Sequence, residues 1–372
     1  VTGVQTCALP ICEPRSTKDF PYAALQENKI VDLIDKSCKE LNYKSIKTPR
    51  AIITKQKGHR NFCYYSNYCG SYPCSSAAKG SSRASLIKDA LLTNNVTIIP
   101  NAFVIKLNTN KDKKITSAVY LTKKSSKKEI KAKLFVLAAQ AVETSRLLLN
   151  SKDENFPNGV ANNSLNVGKN FLSSSGGIVS ASFDERNMNL KDLLTPGLFV
   201  NRTLMDWYYT KEFKAGTIDI LFEHANPIRR ASNLRWNEDE LIIGEQLQNK
   251  IFENFTKTRR LNIEIFTDWT PNDNSFISVD EKYKDKYAIP VANIRIGTNP
   301  QDLKASKFLE EKAIKLFEQM GAKDIKSEIS QLPSGNLQAG GCRFGNNPKT
   351  SVLNKYCQAH EVSNLFVTDG SF

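Results

Sequence analysis

The sequence lacks any long apolar run, and this limits how the chain itself can meet a membrane. No stretch of eighteen consecutive apolar residues occurs in its 372 residues, and the longest apolar runs have the length of a β-strand. A transmembrane helix needs about 20 mainly apolar residues. We therefore expect no transmembrane helix in this sequence, while attachment to a membrane through a partner protein stays open.

The sequence also lacks a concentrated basic patch, although its formal net charge is +14. The lysines are spread along the chain, and the densest group, residues 111–133, is typical of turns between strands. Proteins that bind nucleic acids gather Lys and Arg on one face, often with aromatic side chains for stacking. We therefore expect a lysine-rich solvated surface and no nucleic-acid partner.

Histidine is scarce, which leaves few candidates for a general base. The three histidines are His59, His224 and His360. His224 follows a predicted strand in FEHANPIRR, and it is a weak catalytic candidate because a surface or packing role is commoner at such a place. His360 is predicted to be structural, and His59 has no clear role.

Hydrophobic periodicity predicts three amphipathic helices and a sheet. Apolar residues recur at helical spacing in residues 27–41, 82–92 and 302–320, and Gly321 stands where a helix C-terminus favours glycine. β-rich segments accompany the last helix between about residues 173 and 330. They predict an antiparallel sheet backed by helices.

The middle of the chain predicts a three-stranded meander followed by a helix. The segments VTIIPNAFVIKL, TSAVYLT and EIKAKLFVLAA are strand-like, and residues 134–139 are apolar enough for a buried strand. Residues 141–149 have the composition of a helix. The strand in FVLAAQAVETSRLLLNS thus ends in Ala138 and Ala139, and small side chains there let the backbone approach a flat ring or a phosphate. An ordinary strand-turn-helix is the alternative.

Two further segments stand out as short motifs. NVGKNF spans residues 166–171, and NLFVTDGSF spans residues 364–372. In the second, Asp369 and Gly370 follow a strand, so a carboxylate and an exposed backbone N–H are offered to a hydroxyl and to an anionic group.

Together with LQAGGCRFG at residues 337–345, these segments resemble the glucose-methanol-choline family of flavin-dependent oxidoreductases, in particular its sugar and gluconate dehydrogenase branch. The resemblance runs from about residue 19 to residue 372. It implies an FAD-dependent dehydrogenase that oxidises a hydroxyl of a sugar, sugar acid or related polyol by hydride transfer to flavin, with electrons passed to an acceptor other than oxygen. The cofactor contacts that it implies are Val104, Ala138, Ala139, Asp369 and Gly370. The family usually has Gly where this chain has Gln140.

The resemblance also implies an organisation into domains. We expect an incomplete α/β FAD-binding domain plus an α+β substrate domain with an antiparallel sheet backed by helices. The predicted parts are a cap segment with a Cys-rich loop at 13–81, the middle of the FAD-binding domain at 82–172, the substrate-binding domain at 173–333, and the truncated C-terminal part of the FAD-binding domain at 334–372.

We expect that neither end of this sequence is a natural terminus of the protein. VTGVQTCALPI at residues 1–11 looks like the translation of a sequencing-adapter oligonucleotide, so residues 1–12 are excluded from the fold. The glycine-rich dinucleotide fingerprint of an FAD domain occurs nowhere in residues 13–372. We therefore expect a fragment that by itself binds flavin weakly or not at all and is inactive.

The catalytic residues are not assigned. Family members have a histidine where this chain has Leu337, and leucine cannot accept a proton. The family's second catalytic residue, His or Asn, would lie beyond Phe372. Either that residue is the base, or another group is, or the protein has lost activity and acts as a carbohydrate-binding or partner-binding protein.

The segment CYYSNYCGSYPCSSAAKGSS brings Cys63, Cys69 and Cys74 within a dozen residues. It resembles the cysteine-rich insertion of membrane-linked sugar and gluconate dehydrogenases, in some of which three cysteines hold an iron-sulfur cluster. A disulfide with one thiol left over and three reduced cysteines are the alternatives. The resemblance further implies a cytochrome or a small subunit as electron acceptor, and a periplasmic or partner-mediated membrane location.

Overall fold

The computed structural model describes residues 20–66, 73–193, 199–223, 226–237, 239–267, 269–331 and 337–372. The expected artefact at residues 1–12 lies outside these ranges. The chain divides into two compact units. Unit 1 contains the described residues of Val1–Val96, Ser175–Asp268 and Gln301–Ser330, and unit 2 those of Thr97–Ser174, Trp269–Pro300 and Gln331–Phe372.

The helices and strands of the described residues follow in chain order. The helices are α1 (Ile30–Glu40), α2 (Leu86–Leu92), α3 (Ala141–Asn150), α4 (Leu190–Leu193), α5 (Pro227–Asn233), α6 (Gly244–Thr256) and α7 (Pro300–Gln319). The strands are β1 (Ser45–Ile46), β2 (Phe103–Thr109), β3 (Ile115–Leu121), β4 (Lys127–Lys131), β5 (Phe135–Leu137), β6 (Ser175–Asp184), β7 (Phe199–Leu204), β8 (Gly216–Phe222), β9 (Trp236–Asn237), β10 (Glu240–Leu241), β11 (Thr258–Thr267), β12 (Phe276–Lys284), β13 (Pro290–Arg295), β14 (Lys323–Ile329) and β15 (Leu365–Val367).

Unit 1 is built on a six-stranded antiparallel sheet with the strand order β1-β7-β8-β11-β6-β14. Side chains alternate along β11 between buried and partly exposed positions, as the period of two residues in a strand requires. The buried face of the sheet forms one hydrophobic cluster with α1 and α7, which includes Ile34, Ile218, Ile263 and Leu309. The predicted antiparallel sheet backed by helices is confirmed.

Unit 2 combines an antiparallel meander with a short parallel pair. Strands β2, β3 and β4 form the meander, β5 and β15 pair in parallel, and β12 pairs with β13. Helix α3 follows β5, and its buried Leu147 and Leu148 join a core cluster with residues of β5 and β15. The assignment of these parts to cofactor and substrate domains stays a prediction.

The meander differs from its prediction in two places. Residues 96–99 are not in a strand, and β2 begins only at Phe103, after Pro100, which has no N–H for a ladder hydrogen bond. The third predicted strand is divided into β4 and β5. The whole of β4 is exposed, whereas Phe135 and Leu137 of β5 are buried, so the apolar half leaves the meander and pairs with β15.

Within the described ranges, no helix has the length and apolar character that crossing a membrane would require.

Candidate functional site

The parallel pairing of β5 with β15 brings two predicted cofactor segments to one edge. Leu365 lies opposite Phe135 and Val367 opposite Leu137, and the Thr368 N–H donates to the Leu137 carbonyl at 2.9 Å. Because parallel strands end at the same edge, the residues that follow them are neighbours. Ala138–Ala139 and Asp369–Gly370 therefore lie side by side in unit 2.

The Asp369 carboxylate joins these two strand ends to the first turn of α3. Its Oδ2 accepts from the Gln140 N–H at 2.9 Å and from the Thr144 hydroxyl at 2.5 Å. Its Oδ1 accepts from the N–H of Ser371 at 2.9 Å and from the Ser371 hydroxyl. The Thr144 Oγ1 also accepts from the Ala139 N–H at 3.2 Å. The turn after β5 is thus tied to the turn after β15 through one carboxylate.

Gln140 has a backbone conformation that glycine favours. Its φ is 78° and its ψ is 157°, a region that residues with a Cβ seldom enter. The side chain caps α3, since its Oε1 accepts from the Val142 N–H at 3.2 Å. Its Nε2 donates to the Gln338 Oε1 at 2.5 Å. The backbone shape expected from a glycine is therefore present, and hydrogen bonds hold it.

The other two motif segments pack against the same edge. The Gly168 N–H of NVGKNF donates to the Gly341 carbonyl of LQAGGCRFG at 2.6 Å, and the Gly340 N–H donates to the Gly370 carbonyl at 2.9 Å. Gly340 has a φ of +77°, and a Cβ there would lie 2.1 Å from the Asn170 carbonyl oxygen. Four segments that are far apart in the sequence therefore meet in unit 2, and the glycines permit the close backbone contacts.

A cavity of about 320 Å³ opens beside this edge. Val104, Ala139, Leu147 and Ile289 are among its apolar lining residues, and Glu143, Arg146 and Asn150 supply polar groups. Two of the five predicted cofactor contacts, Val104 and Ala139, thus face one cavity. Ala138 and Ala139 are exposed although they follow a buried strand, so the backbone at this edge is accessible.

The ladder between β2 and β3 is irregular beside this cavity. Val104 pairs with Tyr120 and Lys106 with Val119, so Ile105 is an extra residue with no opposite partner. Such a bulge bends the strand and leaves local backbone groups out of the ladder. Ile105 lines the cavity, so the bulge shapes its wall.

The Arg146 guanidinium belongs to the wall and is engaged by other protein groups. Its Nε donates to the Pro290 carbonyl at 2.8 Å and its Nη2 to the Asp285 carboxylate at 2.7 Å. Burial acts to raise the pKa of Asp285, but hydrogen bonds from Arg146 and from the N–H groups of Ile289 and Tyr287 outweigh it, so the pKa is lowered. The ion pair fixes the β12–β13 hairpin to α3.

None of the catalytic candidates in the described ranges supplies a proton acceptor at the strand edge. Leu337 has a φ of 54°, and the next residue, Gln338, contacts Gln140. His224 lies outside the described residues. The His360 Nε2 lies 3.0 Å from the Gly345 carbonyl and 3.1 Å from the Ser351 hydroxyl, which fits a structural role. The His59 Nε2 lies 3.0 Å from the Ala84 carbonyl.

Of the three predicted cluster cysteines, Cys69 lies outside the described residues. No disulfide joins Cys63 to Cys74. Burial acts to raise the pKa of Cys74, but hydrogen bonds from the Ser76 hydroxyl and from nearby backbone N–H groups outweigh it and lower the pKa. In the part of the chain that is described, no group of three metal-ligating side chains occurs. Iron-sulfur ligation by these cysteines stays a prediction, as do its two alternatives.

Unit 1 contains a polar cluster that the sequence analysis missed. Asp219 on β8 lies directly opposite Glu264 on β11 and accepts from the Thr203 hydroxyl at 2.5 Å. Burial raises the pKa of both carboxyls, and the charge of Asp219 raises the pKa of Glu264 further. The charge of Arg50 lowers both pKa values in part. The available signal was one acidic residue inside each of two alternating strands, GTIDILF and LNIEIF.

Comparisons with known proteins identify the relatives of this chain. Two models of one family, described as GMC oxidoreductase, match residues 21–174 and 271–372, together more than half of the chain. Paromamine 6'-oxidase of Streptomyces fradiae is 26% identical over 89% of this chain and 58% of its own length. The large subunit of fructose dehydrogenase of Gluconobacter japonicus is 23% identical over 98% of this chain and 64% of its own length. The chain thus spans less than two thirds of these relatives.

A solved structure shares the fold. A formate oxidase variant from Aspergillus oryzae, studied for FAD modification, is 13% identical and superposes with a TM-score of 0.59 over 92% of this chain and 65% of its own. The predicted family and the predicted fold class are confirmed by these matches.

Proposed function

This chain belongs to the GMC oxidoreductase family, and we propose that the whole protein is an FAD-dependent dehydrogenase acting on a hydroxyl group of a sugar, sugar acid or related polyol. The observation that carries the proposal is the meeting of four motif segments at one strand edge beside a cavity with an accessible backbone. When bound, FAD would accept a hydride from the carbon that carries the hydroxyl.

The residues at this edge suit a flat, anionic cofactor. Ala138 and Ala139 have no side chain beyond Cβ, so a ring or a phosphate can approach their backbone. Val104 and Ala139 would hold the cofactor from two walls of the cavity. At the neighbouring strand end a Cβ on Gly370 would lie 2.9 Å from the Gln338 carbonyl oxygen, so the glycine lets the two backbones pack closely there. Leu147 and Ile289 add apolar wall, which excludes water from a bound ring.

The substrate class follows from the relatives as a proposal. Paromamine 6'-oxidase and fructose dehydrogenase are named for amino-sugar and sugar substrates. Sugar-like substrates with a free hydroxyl are therefore the first to test. We further propose an electron acceptor other than oxygen, because the fructose dehydrogenase relative, which matches over 98% of this chain, is a dehydrogenase and a large subunit, which suggests a partner subunit. Iron-sulfur ligation by Cys63, Cys69 and Cys74 is the finer part of this proposal.

Leu337 favours a second candidate function. A side chain that cannot accept a proton stands where a base is expected, so a protein that binds FAD or carbohydrate without turnover is the alternative.

The visible spectrum of the protein expressed from its complete coding sequence tests the proposal. We expect flavin bands that bleach when fructose, gluconate or an amino sugar is added without oxygen, and a broad shoulder in addition if a cluster is bound. Flavin bands that no sugar bleaches would support the binding-only alternative. A colourless protein that takes up no added FAD would refute the proposal.

A variant pair links the spectrum to the cavity. Ala139→Leu places a larger side chain at the cavity wall and is expected to lower the flavin content strongly. Ala132→Leu makes the same change at an exposed position of the same unit and is expected to leave it unchanged.

A further inference from the structure

We infer that Asp369 is a positioning residue, which sets the shape of the strand edge without itself binding the cofactor. This inference rests on the proposed function and revises the sequence-based expectation, in which Asp369 contacts the cofactor directly. Three features of unit 2 carry it: the saturation of the carboxylate, the conformation of Gln140, and a hydrogen-bond path to Ala139.

The Asp369 carboxylate has no acceptor position left for a cofactor hydroxyl. An ionised carboxylate offers about four lone-pair sites. The protein uses all four, two at Oδ2 for Gln140 and Thr144, and two at Oδ1 for the N–H and the hydroxyl of Ser371. A cofactor hydroxyl would have to displace one of these donors.

The carboxylate holds Gln140 in a conformation that the residue would otherwise leave. At a φ of 78° and a ψ of 157° a side chain with a Cβ is strained. The hydrogen bond from the Gln140 N–H to Asp369 Oδ2, at 2.9 Å, fixes the orientation of this peptide. A glycine at position 140 would adopt the same conformation without strain, so it would not depend on the hydrogen bond to Asp369.

The same carboxylate reaches the cavity wall through Thr144. The Thr144 hydroxyl donates to Asp369 Oδ2 at 2.5 Å, and its oxygen accepts from the Ala139 N–H at 3.2 Å. Ala139 lines the cavity proposed for the cofactor. Two successive backbone N–H groups, those of residues 139 and 140, are therefore oriented by one carboxylate, one of them directly and the other through a hydroxyl.

A rescue experiment distinguishes positioning from direct binding. In the protein expressed from its complete coding sequence, Asp369→Ala is expected to weaken FAD binding about 10- to 100-fold, the range for loss of hydrogen bonds to a charged group. In the double variant Gln140→Gly with Asp369→Ala, binding is expected to return to within about three-fold of Gln140→Gly alone, because glycine keeps the turn in shape. The readout is the dissociation constant of FAD from quenching of flavin fluorescence. No recovery in the double variant would overturn the inference, since a lost direct contact cannot be restored at residue 140.

Asp153 provides a matched control. Its carboxylate also accepts from two backbone N–H groups, those of Asn155 and Phe156, and from a threonine hydroxyl, that of Thr109 at 2.5 Å. Asp153→Ala is expected to lower the melting temperature about as much as Asp369→Ala while FAD affinity stays the same. An equal loss of FAD affinity in both variants would show a general effect on folding and would overturn the inference.

Two further measurements keep the inference testable. The first applies if Asp369→Ala does not fold, and the second applies if the unchanged protein binds no FAD. Thr144→Val keeps the side-chain shape and removes the hydroxyl that links Asp369 to the Ala139 N–H, so FAD binding should weaken several-fold, and unchanged binding would contradict the inference. If the unchanged protein binds no FAD, the proposed function fails, and amide hydrogen exchange at Gln140 tests the positioning by itself. Exchange should be slow in the unchanged protein and much faster in Asp369→Ala, and equal rates would refute the role.

Discussion

Glu264→Gln should stabilise unit 1 at neutral pH, because it removes one of two partly or fully buried carboxyls that face each other. Glu264 lies directly opposite Asp219 in neighbouring antiparallel strands, and Asp219 is only 3% exposed. Like charges in directly opposite positions destabilise a sheet. Burial raises the pKa of Glu264, the Asp219 charge raises it further, and Arg50 lowers it.

The magnitude follows from the spacing of the strands. Side chains in opposite positions are about 5 Å apart, and two unit charges at that distance repel by about 3 kcal/mol at an effective dielectric constant of about 20. The attraction of Arg50 for Glu264 offsets part of this repulsion and is lost with it. We therefore expect the free energy of unfolding to increase by about 1–2 kcal/mol in Glu264→Gln at pH 7.

The stability gained in Glu264→Gln should depend on pH. A carboxyl whose pKa is raised in the folded state keeps its proton where the unfolded state has released it, so its contribution to stability falls as pH rises from 4.5 through the folded pKa. Below 4.5 the carboxyl is protonated in both states, and Gln and protonated Glu are nearly equivalent. The stability difference between Glu264→Gln and the unchanged protein should therefore be small at acidic pH and should grow as the pH rises through the folded pKa of Glu264.

Urea unfolding followed by tryptophan fluorescence at several pH values measures this difference. Glu328→Gln is the matched control, because Glu328 is an exposed residue on β14 of the same sheet, opposite Ile178, which in turn lies opposite Glu264. The control should change stability by less than about 0.5 kcal/mol. The reasoning is refuted if Glu264→Gln is no more stable than the unchanged protein at pH 7, or if its gain is the same at every pH.

Two shorter predictions concern a thiol and a glycine. The pKa of the Cys74 thiol is lowered, whereas Cys342 is fully buried and burial raises its pKa to about 12. Iodoacetamide should therefore alkylate Cys74 much faster than Cys342, as measured by peptide mass spectrometry. Ser76→Ala should slow the alkylation of Cys74, and equal alkylation rates at both cysteines would contradict the account. Gly340→Ala should lower the free energy of unfolding by more than about 2 kcal/mol, since its Cβ would lie 2.1 Å from a backbone oxygen. Gly58→Ala, at a φ of +54° with nothing within 4 Å of the Cβ, should cost only about 1 kcal/mol, and an equal cost at both sites would show that the contact is unimportant.

Periodicity predicted the elements that bury one face. Residues 302–320 were predicted as a helix and α7 spans Pro300–Gln319, because its apolar residues pack on the sheet of unit 1. The helix predicted at residues 82–92 is only Leu86–Leu92 and has no buried residue, so packing adds nothing that would extend it. The run at residues 96–99 was apolar enough for a strand, but it is followed by Pro100 and pairs with nothing in the described ranges.

The site was predictable as a set of motifs and not as a set of contacts. Small residues after a strand indicated Ala138 and Ala139, and the acid-glycine pair indicated Asp369 and Gly370. The hydrogen bond between Gln140 and Asp369 joins residues 229 positions apart, and no local pattern encodes such a partner. The opposition of Asp219 and Glu264 likewise depends on strand register, which the sequence of either strand alone does not fix.

Under the proposed function, cofactor binding and turnover would depend on different parts of this chain, so they could be lost separately. The groups proposed to hold FAD are backbone and small side chains, fixed by hydrogen bonds that involve Asp369 and Thr144. Proton removal needs an acceptor, and Leu337 supplies none where one is expected. A protein that has kept the first set of residues and lost the second would still be yellow. Bleaching by a sugar, and not flavin content, is therefore the observation that separates a dehydrogenase from a protein that only binds FAD.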